Sequence, residues 1–141
     1  MYSTLSQLHQ KSGSSKNKRY REDVDLSLYD WENVRPESNP SIWGPSFWYT
    51  LHNSALQFPI DPTPFASQTM LNFILALPWI LPCSNCSEHA KQFLSAYPDL
   101  REAVSSRDNI FKFFWDFHNH VNVNTGKKPI TFSDAFTKYA K

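Results

Sequence analysis

The chain has 141 residues, a formal net charge of +1 and only two cysteines, while Phe, Tyr and Trp make up 16% of it. That length suits one domain, and the near-neutral charge supplies no general pull toward nucleic acid or a membrane surface. Cys83 and Cys86 lie too close together to staple a disulfide-rich secreted scaffold.

Residues 1–40 are polar, and Lys16, Lys18, Arg19 and Arg21 form a short basic cluster. The stretch reads as a flexible polar tail ahead of a domain at 41–141, with Tyr29 and Trp31 as docking aromatics. Met1-Tyr2-Ser3-Thr4-Leu5 lacks the apolar core of a signal peptide. The longest apolar run, Phe73 to Leu81, is far short of the ~20 residues that span a bilayer.

A first helix is predicted from Gly44 as N-cap and Pro45 as first residue. Phe47, Trp48, Leu51, Ala55 and Phe58 form its apolar stripe. Thr63-Pro64 opens a second helix, apolar on more than one side, which Pro78 should kink or stop. A third helix, from Pro82, carries both cysteines in its first turn and runs to about Tyr97. Ser105 and Asp108 suggest a capped fourth helix along Ile110, Phe113, Phe114, Phe117 and Val121, stopped by Thr125-Gly126. Thr131 and Asp134 cap a short fifth, with Phe132, Phe136 and Tyr139 on one face. No stretch alternates with period two, so the fold class is all-α: a four-helix bundle with a short extra helix.

Cys83-Ser84-Asn85-Cys86 reads as a reactive dithiol. Unpaired N–H groups and the positive end of a helix favour a thiolate there, where thiol pKa falls to roughly 3.5–7.5. Zinc sites use the same spacing. Beside the Phe stripe of the fourth helix runs a second one, Trp115, His118, Asn119 and Asn122. Amides and imidazoles there could line a cavity for a heteroaromatic ring with carbonyls and ring nitrogens. Trp48 and His52 repeat the theme on the first helix, and Lys127 and Lys128 could meet phosphates. Beside a dithiol, this suggests a flavin, which accepts two electrons and releases them to oxygen.

Gly44-Pro45-Ser46-Phe47-Trp48-Tyr49-Thr50-Leu51-His52, the Pro82–Cys86 turn and Phe117-His118-Asn119-His120-Val121-Asn122 together resemble the ERV/ALR family of FAD-linked sulfhydryl oxidases. The resemblance covers roughly Ile42 to Tyr139. It implies a helical bundle holding FAD at one end. Cys86 is then the cysteine next to the flavin, and Cys83 the outward one that exchanges with a substrate dithiol, oxygen leaving as hydrogen peroxide. It further implies that Gly44, Trp48, His52, His89, Trp115, His118, Asn119, Asn122, Tyr139 and one or both of Lys127 and Lys128 contact the cofactor.

Departures bear on partners. Many relatives carry a second, shuttle disulfide, which these residues lack, so a thiol-containing protein substrate must reach Cys83 directly or a thioredoxin-like shuttle must serve it. Where some relatives have Arg after the first-helix glycine, Pro45 stands here. The pared-down cysteine set resembles viral members, which points to cytoplasmic viral oxidative folding, with the mitochondrial intermembrane space as the alternative. A homodimer through the second helix is expected. The rival from another class is a zinc-binding helical module using Cys83, Cys86 and two of His52, His89, His118 and His120; the flavin reading involves no metal. A thioredoxin-like reductase would need strands around its cysteines.

Overall fold

The structure, a computed structural model, describes residues 23–141; the basic cluster at Lys16–Arg21 lies outside them. The chain divides after Val34 into two units, Met1–Val34 and Arg35–Lys141. Among the described residues of the first, Asp25 caps a 3-10 turn, Leu26–Leu28, by accepting from Ser27 N–H at 3.0 Å. Trp31 Nε1–H donates to the Leu26 carbonyl at 2.8 Å.

The second unit is all helical among the described residues: α1 Pro40–Gln57, α2 Pro64–Ile80, α3 Ser84–Ala96, α4 Leu100–Ala103, α5 Arg107–Asn124 and α6 Phe132–Tyr139. None is long and apolar enough to cross a membrane. α5 is the central helix. Its Ile110, Phe111, Phe113, Phe114 and Phe117 are all buried, and it packs against α1, α3, α4 and α6, while α2 packs on α3 and α4. Leu51 and Ala55 from α1, Ile74 and Leu77 from α2, Ala90 and Phe93 from α3, and Ala135 and Tyr139 from α6 are buried in the same core.

Caps explain the boundaries and correct several sequence expectations. α1 starts a full turn before Gly44, because Asn39 Oδ1 accepts from Ser41 N–H at 3.0 Å and Pro40 takes the first position. Pro45 is therefore inside the helix, where it removes the donor that the Ser41 carbonyl would otherwise use. Pro78 does not stop α2, which runs on to Ile80. α3 begins at Ser84, so Pro82 lies outside it and Cys83 is its N-cap. Ser106, not Ser105, caps α5, through Asn109 N–H at 3.3 Å. α4 was not expected; Asp99 nucleates it by accepting from the N–H groups of Arg101 and Glu102. α5 ends in a Schellman motif: Gly126 has φ +74°, Lys127 N–H reaches the Asn122 carbonyl at 2.7 Å and Gly126 N–H that of Val123 at 3.2 Å.

Candidate active site

Cys83 and Cys86 are joined by a disulfide at the start of α3. Cys86 N–H donates to Cys83 Sγ at 3.1 Å, so a sulfur serves as the N-cap acceptor. The turn is pinned to α2, because Ser87 Oγ–H donates to the Pro78 carbonyl at 2.7 Å. That carbonyl lies in the last turn of α2, where no following N–H can close on it.

The disulfide opens onto a cleft of about 1170 Å³ between α1, α3, α5 and the C-terminal end of the chain. The opposite wall is aromatic. The Trp48 indole stacks on His118, ring centroids 4.1 Å apart and planes 5° from parallel, and its edge meets Phe117 at 5.1 Å. His52 is fully buried behind this pair. Its Nε2 lies 3.2 Å from His118 Nδ1, and its ring stacks on Tyr139 at 4.1 Å. His52 Nδ1 is buried without a partner. A bare lone pair costs less there than a stranded N–H, so His52 Nε2–H donates to His118 Nδ1. His118 Nε2 then carries its own proton.

Burial keeps both imidazoles uncharged. It depresses His52 to about 3, helped by repulsion from His118 and Lys138. It depresses His118 to about 4, helped by the charges of Lys138 and Lys127. Both lysines line the cleft. Its chemistry is thus a flat aromatic wall, neutral polar groups and two cations, beside a disulfide. Gly44 also lines it, and the space that a Cβ there would fill is open, so the α1 backbone is bare toward a ligand. These features fit a flat heteroaromatic ring joined to phosphates, as FAD is. The cleft exceeds the ~300–1,000 Å³ of ordinary small-molecule pockets, as a dinucleotide requires.

Of the sequence-predicted residues, Cys83, Cys86, Gly44, Trp48, His89, His118, Asn122, Lys127 and Tyr139 meet at this cleft. Four do not line it. His52 acts from behind, through His118. Lys128 is exposed and away from the cleft. Trp115 and Asn119 turn to the other flank of α5: Trp115 Nε1–H and Asn119 Nδ2–H both donate to the Ile130 carbonyl at 2.9 Å, and Ile130 N–H donates to Asn119 Oδ1 at 2.9 Å. Those polar atoms hold the loop between α5 and α6. Lys138 and Trp43 were missed. Lys138 looks in the sequence like a solvated cation in a last helical turn, and only its place beside Tyr139 hinted otherwise. Trp43 stands one residue before the predicted start of the first helix. Among the described residues no group of three or more His, Cys, Asp or Glu is placed to hold a metal ion, so the zinc arrangement is not formed.

Residues 45–140 match the Erv1 / Alr family. A protein of Invertebrate iridescent virus 6, with the provisional name of FAD-linked sulfhydryl oxidase, is 44% identical over 105 residues, covering 72% of this chain and 95% of its own. One from Invertebrate iridescent virus 3, named likewise, is 41% identical over 101 residues, covering 72% of this chain and 68% of its own. The crystal structure of the FAD binding domain of Erv1 from Saccharomyces cerevisiae superposes with a TM-score of 0.61 at 25% identity, covering 70% of this chain and 90% of that one. An all-helical bundle, a disulfide at a helix start and a match spanning most of the chain agree: this chain belongs to the Erv1 / Alr family.

Proposed function

We propose that the protein is an FAD-dependent sulfhydryl oxidase that makes disulfides in protein substrates. The observation that carries this reading is a single cleft bordered both by the Cys83–Cys86 disulfide and by the Trp48–His118 stack. Family membership and the relatives' names support it.

A substrate thiolate attacks Cys83 Sγ, the Cys83–Cys86 bond breaks, and Cys86 leaves as a thiolate in the first turn of α3, where free N–H groups favour it. The second substrate thiol, deprotonated, attacks the substrate sulfur now joined to Cys83. Cys83 departs toward the Cys86 N–H that already caps it, and a stabilised leaving thiolate departs faster. The substrate has lost two electrons and two protons, and the protein holds them as a dithiol. FAD, when bound, takes up the electron pair and delivers it to oxygen, which becomes hydrogen peroxide. Trp48 and His118 would flank its ring, the His118 Nε2–H would donate to it, and Lys127 and Lys138 would face its phosphates. Tyr139, His89, Asn122 and Gly44 would complete its contacts.

The partner is a thiol-containing protein or a thioredoxin-like shuttle. The viral relatives favour work in the cytoplasm over the mitochondrial intermembrane space. A second copy would dock on α2, whose Phe65 and Phe73 stay exposed. The purified protein should be yellow and evolve peroxide from dithiothreitol and oxygen. Cys86→Ser should keep the colour and lose at least ~99% of the turnover, since both sulfurs act as one unit. A colourless wild type, or a Cys86→Ser variant as active as wild type, would refute the proposal.

A further inference from the structure

The surface beside the disulfide bears a feature that the electron path does not use. Trp79 is 83% exposed, more than any other large hydrophobic side chain among the described residues. It occupies the penultimate position of α2, next to Pro78, whose carbonyl receives Ser87 Oγ–H from the first turn of α3. Its ring meets α3 at the Lys91 side chain, whose Nζ is 5.8 Å from the centroid. Lys91 is one turn beyond Ser87, and Cys83 is one turn before it. Trp79 stands four residues before Cys83, so their Cα atoms are at most about 15 Å apart at 3.8 Å per residue. Ile80, 53% exposed, follows it, and then Leu81, which borders the cleft together with Cys83. Trp79, Ile80 and Leu81 are thus three consecutive large apolar residues, two of them exposed, leading into the turn that carries the attacked sulfur.

Any protein substrate must lay its chain across Cys83. A small thiol needs only the sulfur, whereas a polypeptide also covers what adjoins it. An extended chain advances about 3.3–3.6 Å per residue, so a segment whose cysteine sits at Cys83 brings the side chain three or four positions away over the indole. Lys91 holds the ring from one side by cation–π attraction and leaves its outer face open. An indole at such a place gives large contact area for little entropy loss, as in binding hot spots.

Building on the oxidase reading, we infer that Trp79, with Ile80, is a docking surface for unfolded polypeptide substrates that carry a large apolar side chain three or four residues from the reacting cysteine. The test uses the full chain loaded with FAD, with two substrates: a reduced, unfolded protein, and dithiothreitol. Trp79→Ala should raise KM for the protein substrate about tenfold and leave the dithiothreitol rate within twofold of wild type, and Trp79→Phe should recover most of the loss. An unchanged KM for the protein substrate, or an equal loss with both substrates, overturns the inference. Sedimentation of wild type and variant checks the other occupant: a dimer that Trp79→Ala turns into a monomer assigns the indole to a second copy and also overturns it. A wild type that oxidises neither substrate fails the oxidase reading itself, which separates the two failures.

Discussion

The two flanks of α5 carry similar residues and use them in opposite ways. On one flank, Trp115 and Asn119 spend every polar atom that they can on Ile130, one residue of the following loop. On the other, His118 and Asn122 border an open cleft, and the His118 ring meets the imidazole behind it and the indole over it. Four polar residues at helical spacing are thus two devices. One fixes the loop that carries the chain on to Lys138 and Tyr139, and the other lines the cleft. What separates them is whether their hydrogen-bonding capacity is already filled, which residue type alone does not reveal.

Substitution should break the two flanks differently. The largest effect is expected on the open side. Trp48→Ala removes the stack on His118 and one wall of the cleft, and should weaken flavin binding about 100-fold, with a stability loss of about 3 kcal/mol at most because the indole is only half-buried. Flavin titration and urea unfolding of the same samples read both numbers. Asn119→Ala should reverse the proportions. It strands the Ile130 N–H and costs about 1–2 kcal/mol, while flavin affinity falls only a few-fold through a looser α6.

Acid should sharpen the contrast. His52 and His118 are held at about 3 and about 4 in the fold, against ~6.5 in an unfolded chain. Above pH 6.5 neither state binds the proton, so the pair adds no pH dependence. Below it the unfolded chain takes up protons that the native rings refuse, so stability falls from pH 6.5 down toward 3 and the loss then levels off. The ring signals of both histidines in NMR should stay unprotonated from pH 8 to about 5 while the urea midpoint drops. Rings that titrate near 6.5 would contradict this. The smallest effect is expected at the loop: Lys127→Ala should weaken flavin about threefold at low salt and Lys128→Ala not at all, a difference that fades as salt screens it. Equal losses would mean that the Schellman turn does not select Lys127.

Much of this was legible in the chain because it is local. The Phe stripe of α5, the Thr63 and Thr131 caps and the stop at Gly126 all follow from spacing and capping chemistry, and each stands where expected. The disulfide turn, Trp48, His118 and Asn122, which line one cleft, are legible because their motifs are short and their order is specific. What the sequence leaves hidden depends on partners far away along the chain. Trp115 and Asn119 look like cavity residues until Ile130 folds back on them. His52 reads as a ligand-facing residue until α6 covers it with Tyr139. The early start of α1 was missed for a different reason: Gly44-Pro45 is a strong start signal, and Asn39-Pro40, one turn earlier, is the one used.

The central claim is that the Cys83–Cys86 pair and the Trp48–His118 wall serve one bound flavin. Mixing the purified yellow protein with dithiothreitol in the absence of oxygen tests it most directly. The account predicts that the visible flavin absorbance of the wild type is lost at a rate that follows dithiol concentration, while Cys86→Ser keeps its absorbance over the same period. A flavin that bleaches equally fast without Cys86, or one that the intact disulfide never reduces, would contradict it.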